Sequence, residues 1–273
     1  MSATLRVIVT RPVAQAAQWV EALHRQGLDA VALPLIAIDA APDAAAVTAA
    51  WAALESYRLV VFVSPNAAQA FFDAAPPTQR WPVALRAASP GPGTAALLRQ
   101  LGVAPGCIVE PAVDAVQFDS ESLWPRLEAD DWRGAAVLIV RGAGGRNWLA
   151  SRLVERGARV DLLAAYGRST PAWSPAQRAR LDAARAHPDG HLWLFSSSEA
   201  IDRLARLAVA FAPGVADAAG ALPGAEASTW AEARALATHP RIAARAQQLG
   251  FGRVAQCRPM LPAVVACIQS LTT

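Results

Sequence analysis

Residues 135–164, AAVLIVRGAGGRNWLASRLVERGARVDLLA, decide the fold. An apolar run ends in a glycine-rich turn. An amphipathic segment follows, closed by Gly157, and a second apolar run completes the unit. The same plan stands at residues 5–34, LRVIVTRPVAQAAQWVEALHRQGLDAVALP, at an offset of 130. Val9 then meets Ile139, Arg11 meets Arg141, Leu23 meets Leu153 and Gly27 meets Gly157.

Two further blocks repeat in the same order. LVVFVSPNAAQAFF from Leu59 matches LWLFSSSEAIDRLA from Leu192 at an offset of 133, and GPGTAALLRQLGV from Gly91 matches HPRIAARAQQLGF from His239 at 148. Strands alternating with helices predict parallel sheets covered on both faces. Three blocks that recur predict two similar α/β domains of the flavodoxin/Rossmann-like kind. DAAPPTQRWP from Asp73, STPAWSP from Ser169 and AFAPGVADAAGALPGAEA from Ala210 read as loops or boundaries.

The chain has 273 residues, 54% hydrophobic and 17% charged, enough for one large core or two modest ones. It has no lysine, so its 25 basic residues are all arginine. That excludes Schiff-base lysine chemistry and a Walker-type phosphate loop. The net charge is +3, the arginines are scattered, and no zinc-finger spacing occurs, so no nucleic-acid partner is expected. Three distant cysteines suggest a reducing compartment. No signal pattern and no apolar run of about 18 residues is present, so a cytoplasmic protein with no membrane contact is expected.

In an open parallel sheet, ligands sit beyond the carboxyl ends of the strands. The turns there carry helix-start chemistry: Pro12 in TRP, Ser64 and Pro65 in SPN, Ser196 with Glu199 in capping-box spacing, and the glycines of GPGT. Each helix start offers free N–H groups with partial positive charge, worth about 0.3–1 kcal/mol to an anion. Several converging on one ligand would hold a polyanion. GAGG (Gly142–Gly145) invites a second reading, a nucleotide-binding oxidoreductase with Asp161 as the ribose acid. Against it, Asn147 stands where the fingerprint wants glycine, and the twin turn TRPVAQ has no glycine. His187 and His191 flank a turn, His24 lies in a helix and His239 in a turn, so no metal site is expected. The cysteines have no evident base, and the three serines Ser196–Ser198 sit in no nucleophile elbow.

In order along nearly the whole chain, VTRP, LPLI, VFVSPNA, GPGTA, DSESL, LIVRGAGGRNWLASRLVERGARV, YGRSTP, FSSSEA and HPRIAARAQQLGF resemble the uroporphyrinogen-III synthase family. RGAGGRNWL together with YGRSTP is the most specific pair. The resemblance implies a cyclising hydro-lyase of tetrapyrrole (haem, sirohaem, cobalamin) biosynthesis. It would close hydroxymethylbilane, a linear tetrapyrrole with eight carboxylates, with loss of water and inversion of the terminal pyrrole through a spiro intermediate. It implies no metal and no other cofactor. Hand-over from hydroxymethylbilane synthase would be its transient protein contact, and a monomer is expected.

The implied fold is two α/β domains joined by a two-stranded connector, with the active site in the cleft between them. The N-terminal strand-helix unit would be exchanged into the C-terminal domain. Residues 1–36 and 170–273 would form domain 1 and residues 40–164 domain 2, with connectors near 35–39 and 164–169. The family's recurrent tyrosine matches Tyr166, whose phenol would protonate or orient the leaving hydroxyl. Substrate-binding positions carried over are Thr10, Arg11, Ser64, Asn66, Gly91, Thr94, Arg141, Gly142, Ser196, Ser197, His239 and Arg241. This chain departs from the family at Val63, where a threonine is usual, and at HPRI, where many relatives carry a glycine-threonine turn. Two rivals lack the catalytic step: a tetrapyrrole- or anion-binding sensor of the same fold, and an exported two-domain binder, disfavoured by the missing signal sequence.

Overall fold

The computed structural model describes residues 5–210 and 230–271. The loop expected from Ala210 onward therefore lies, apart from Ala210 itself, outside the described residues.

Chain order runs β1 (Arg6–Val9), α1 (Val13–His24), β2 (Ala30–Ala32), β3 (Ala37–Asp39), α2 (Ala44–Ala52), β4 (Leu59–Phe62), α3 (Pro65–Asp73), β5 (Arg86–Ala88), α4 (Pro92–Gln100) and β6 (Ile108–Val109). It continues with α5 (Ser120–Leu123), β7 (Ala136–Gly142), α6 (Trp148–Glu155), β8 (Arg159–Ser169), α7 (Pro175–Ala186), β9 (His191–Phe195), α8 (Ser198–Ala210), β10 (Arg234–Ala237), α9 (Pro240–Leu249), β11 (Arg253–Gln256) and α10 (Leu261–Ser270). Two compact units result, one of Met1–Ala37 with Ser169–Thr273 and one of Ile38–Arg168. Both are α/β units built on a sheet.

The first unit holds a five-stranded sheet in the order β11-β10-β9-β1-β2, every registered pair parallel. Alternate residues of each strand serve opposite faces, as the two-residue period of a strand requires. Ile8, Trp193, Phe195, Ala235 and Ala237 pack under α7, α8 and α9. Val7, Val9, Leu192, Leu194 and Leu236 pack under α1 and α10. Trp193, Phe195, Trp230 and Phe251 form a stacked and edge-on aromatic group on the first of these faces.

The second unit holds a six-stranded sheet, β3-β8-β7-β4-β5-β6. Its strands β8-β7-β4-β5-β6 stand in the same spatial order as β2-β1-β9-β10-β11, and the sequence repeat explains why. Val60, Phe62, Leu138 and Val140 face α2, α3 and α4, while Leu59, Val61, Val137 and Ile139 face α5 and α6. In both sheets the connections leave in opposite directions from the central pair, β1 with β9 and β7 with β4. Such a switch point opens a crevice at the carboxyl ends of the strands.

Two helix starts differ from expectation. Pro12 stands just before the first residue of α1 rather than inside its first turn. Helix α8 opens at Ser198, so Ser197 takes the position before it, and Glu199 pairs with Arg203 four residues on at 2.8 Å. The expected box from Ser196 to Glu199 is therefore out of register by one residue.

Candidate active site

The second unit carries a cavity of ≈ 310 Å³ at the carboxyl ends of β4, β7 and β8. Ser64, Arg141, Gly142 and Tyr166 line it, as do Arg146 and Arg168. It lies at the switch point between β4 and β7, where the topology places a ligand.

Tyr166 is positioned by an irregularity in β8. Arg141 registers with Ala164, but Gly142 registers with Tyr166, so one extra residue of β8 is accommodated. The extra residue bends the strand and re-aims the next side chain. The phenol end of Tyr166 then packs against Gly142, where a Cβ would come within 2.7 Å of the ring carbon Cζ. Only glycine admits that approach. The ring is buried at 4% exposure, and its hydroxyl stands 3.2 Å from Ser64 Oγ.

Ser64 reaches this point because it caps α3. Extended backbone at Ser64 and Pro65 at the first helical position start the helix, and the Ala67 N–H donates to Ser64 Oγ at 3.1 Å. Oγ keeps its own proton and one further lone pair for the Tyr166 hydroxyl.

The glycine turn serves Arg141. Its Nε donates to the Gly144 carbonyl at 2.9 Å and its Nη1 to Asn147 Oδ1 at 2.7 Å. A Cβ on Gly145 would fall 2.7 Å from Nη2, and Gly144 and Gly145 both have positive φ. Burial, aided by the Arg168 charge, pushes the guanidinium down, against an upward pull from Tyr166. An arginine so placed remains charged at neutral pH. Arg168 donates to the Ala143 carbonyl at 2.9 Å and stands over the Tyr166 ring at 6.0 Å.

This geometry overturns the nucleotide reading of GAGG. The turn wraps a side chain of its own chain, leaving no cradle for a pyrophosphate. Asp161 registers with Leu138, four residues before Gly142, which is on the order of 13 Å along the strand. It accepts from the Tyr57 hydroxyl at 2.9 Å. No ribose at the turn could reach it.

Of the remaining positions in this unit, Gly91 caps α4 without a side chain and Thr94 is buried in that helix. Asn66 lies in the first turn of α3. None of these three lines the cavity. In the first unit, Thr10 and Arg11 follow β1, Ser196 and Ser197 follow β9, and His239 and Arg241 follow β10. All six thus belong to the carboxyl edge of that sheet. The Thr10 hydroxyl is buried and donates to the Leu194 carbonyl at 2.7 Å. Arg11 lies over Trp19 at 4.6 Å, and burial pushes its guanidinium down to about 10. His239 caps α9 by accepting from the Arg241 N–H at 3.1 Å.

Sequence reasoning missed Arg146, Arg168 and Asp119. Asp119 opens α5, accepting from the Ser122 N–H at 2.9 Å, and Arg146 pairs with Glu121. Arg168 had a signal: it stands two residues after Tyr166 on one strand, the spacing that shares a face. Asp119 sits inside DSESL, a motif noticed as a block with no residue singled out. Burial pushes the Cys257 thiol up to about 12, away from the thiolate form that a nucleophile needs. Among the described residues no group of three His, Cys, Asp or Glu could hold a metal ion, and no helix is long and apolar enough to cross a membrane.

The family model for uroporphyrinogen-III synthase HemD matches residues 17–266. The uroporphyrinogen-III synthase of Salmonella typhimurium is 30% identical over 202 residues, covering 73% of this chain and 78% of that protein. Among solved structures, a mutant uroporphyrinogen III synthase of Thermus thermophilus has a TM-score of 0.58 at 17% identity, covering 98% of this chain and 97% of that one. The uroporphyrinogen-III synthetase of Helicobacter pylori has a TM-score of 0.56 at 14% identity, covering 98% and 99%. The two structures share the fold, and the family match spans most of the sequence. The chain belongs to the uroporphyrinogen-III synthase family.

Proposed function

We propose that the protein is a uroporphyrinogen-III synthase, a lyase that cyclises hydroxymethylbilane with loss of water and inversion of the terminal pyrrole. The observation that carries the reading is the contact between Tyr166 and Ser64, held at the switch point by a bulge, a glycine and a helix cap. It is a polar pair in a cavity, with arginines beside it.

In this reading Ser64 donates its proton to Tyr166 Oη, which frees the phenol proton to point at the substrate. The phenol protonates the leaving hydroxyl as the pyrrole nitrogen lone pair expels water. A phenol is a weak acid, and the push from nitrogen lets modest help suffice. Arg168 and Arg141 hold positive charge near the carboxylates of the bound ring, while the N–H groups opening α3 and α4 serve others. A cavity of ≈ 310 Å³ suits one substituted pyrrole and not the whole tetrapyrrole. The turns of the first unit, with Thr10, Arg11, Ser196, Ser197, His239 and Arg241, would bind further carboxylates of the same substrate. Thr10 would do so through its surroundings, since its hydroxyl proton is already given to Leu194.

The finer architecture belongs to the same proposal. The pairing of β1 with β9 supports an exchanged N-terminal strand-helix unit. Residues 1–36 and 170–273 then form one domain and 40–164 the other. The adjacent strands β3 and β8 would serve as the connector near 35–39 and 164–169. The enzyme would act as a monomer, take its substrate from hydroxymethylbilane synthase and work in the cytoplasm.

The test is kinetic. The protein should consume freshly made hydroxymethylbilane faster than buffer does. Tyr166→Phe should lower kcat by ten-fold or more, within the about 10²–10⁴ that a positioned acid contributes, with its circular dichroism unchanged. Wild-type turnover in a folded Tyr166→Phe protein would remove the phenol from the mechanism.

A further inference from the structure

The amino-terminal edge of the first unit's sheet holds a second cavity of ≈ 310 Å³, lined by Leu192, Arg234, Arg253, Val254 and Leu271. Arg234 and Arg253 open β10 and β11 and register with each other. Two cations therefore stand side by side on one face of the sheet, where a like-charge pair is unfavourable without an anion. Neither arginine pairs with an acid among the described residues, and the Arg234 Nε is buried without a hydrogen-bond partner.

The repeat supplies the comparison. Arg86 opens β5 as Arg234 opens β10. Arg86 registers with Leu59 and Arg234 with Leu192, and those two leucines are themselves matched in the repeat. Both leucines face the same pair of crossover and following helices, α6 with α5 and α1 with α10. In the second unit the chain provides the anion, for Arg86 Nη1 bonds Asp130 Oδ2 at 2.6 Å, both side chains about one-third exposed. The described part of the first unit provides none. The end of α10 at Leu271 turns its carbonyls toward this edge. Their partial negative charge suits a cation but replaces no carboxylate.

We propose that this cavity binds a small organic carboxylate from solution, its charge on Arg234 and Arg253 and its carbon body on Leu192, Ala255 and Leu271, which lie on the same face of the sheet or at its edge. The site is separate from the proposed active site. Thr10, Ser196 and His239 follow the opposite ends of the strands, on the order of 15 Å away along β10. The cavity is too small for a tetrapyrrole, so the ligand is an effector or a stabilising anion and not the substrate. Its presence or absence leaves the identity of the reaction untouched.

Succinate is the probe, titrated into the full chain and followed by calorimetry and by the arginine Nε–H resonances in nuclear magnetic resonance. Succinate should bind at millimolar concentration or tighter and move the Arg234 Nε–H signal, while succinamide should not bind. Arg234→Gln and, in case that variant fails to fold, the more exposed Arg253→Gln should each weaken binding by roughly ten-fold, the worth of one charge-assisted hydrogen bond. Synthase turnover without succinate should be unchanged in both. Absence of succinate binding, equal binding of succinamide or sulfate, or full binding by the folded variants would overturn the proposal.

Discussion

At the residue scale, the site depends on how closely Tyr166 can approach β7. Gly142→Ala places a methyl 2.7 Å from the ring, so the ring must move or the strands must part. Overpacking of this kind costs about 1–3 kcal/mol. The expected outcome is a lower Tm, and turnover reduced at least as much as in Tyr166→Phe. Tyr166→Ala empties a buried site and is costly by itself, but it also removes the clash, so the double variant should lose clearly less than the sum of the two single losses. Additive losses in the denaturation midpoints would contradict the contact. Gly142 and Tyr166 were both legible in the sequence, one in RGAGG and one in YGRS. Their contact was not, since it depends on the bulge beside Ala165, and a one-residue change of register leaves no mark in hydrophobic periodicity. Arg141 was legible as a charged residue at a glycine turn. That the glycines enclose its own guanidinium became visible only in three dimensions.

At the scale of elements, Ser64 has two tasks, capping α3 and contacting Tyr166, and two substitutions separate them. Ser64→Ala removes the cap and should cost about 1 kcal/mol, whereas Ser64→Gly should cost only a few tenths. Both remove the hydroxyl. Turnover should fall equally in the two variants while their stabilities differ by denaturation. A glycine variant with wild-type turnover would show that only the backbone N–H groups matter. Helix starts were the most readable elements where proline and a capping residue coincide, as at Ser64–Pro65 and Gly91–Pro92. They were least readable in the serine run, because Ser196, Ser197 and Ser198 cap with similar chemistry and only packing of α8 selects among them. Helix α5 is four residues long, too short for any periodic signal, and so its Asp119 was not identified.

At the scale of the whole molecule, the repeat made the two-unit α/β plan readable from three block matches. The pairing of strands far apart in sequence was implied by the family resemblance and not by periodicity, which carries no information on partners. In the first unit β1 stands between β9 and β2, so residues 169–273 lack a central strand when separated from residues 1–37. Residues 38–168 contain every strand of the second sheet apart from its end residues Ala37 and Ser169. A polypeptide of residues 38–168 should therefore unfold cooperatively on its own. One of residues 169–273 should remain unfolded until a peptide of residues 1–37 is added, as read by circular dichroism. Cooperative folding of 169–273 alone would contradict the exchanged arrangement.

The most direct test of the proposed reaction is the isomer composition of the product. Hydroxymethylbilane left to itself closes without inverting a ring, to isomer I. The intact protein, supplied with this substrate and analysed chromatographically after oxidation of the product, should yield predominantly isomer III. Isomer I alone, at the rate seen in buffer, would contradict the assignment and leave a protein that shares the family's fold without its chemistry.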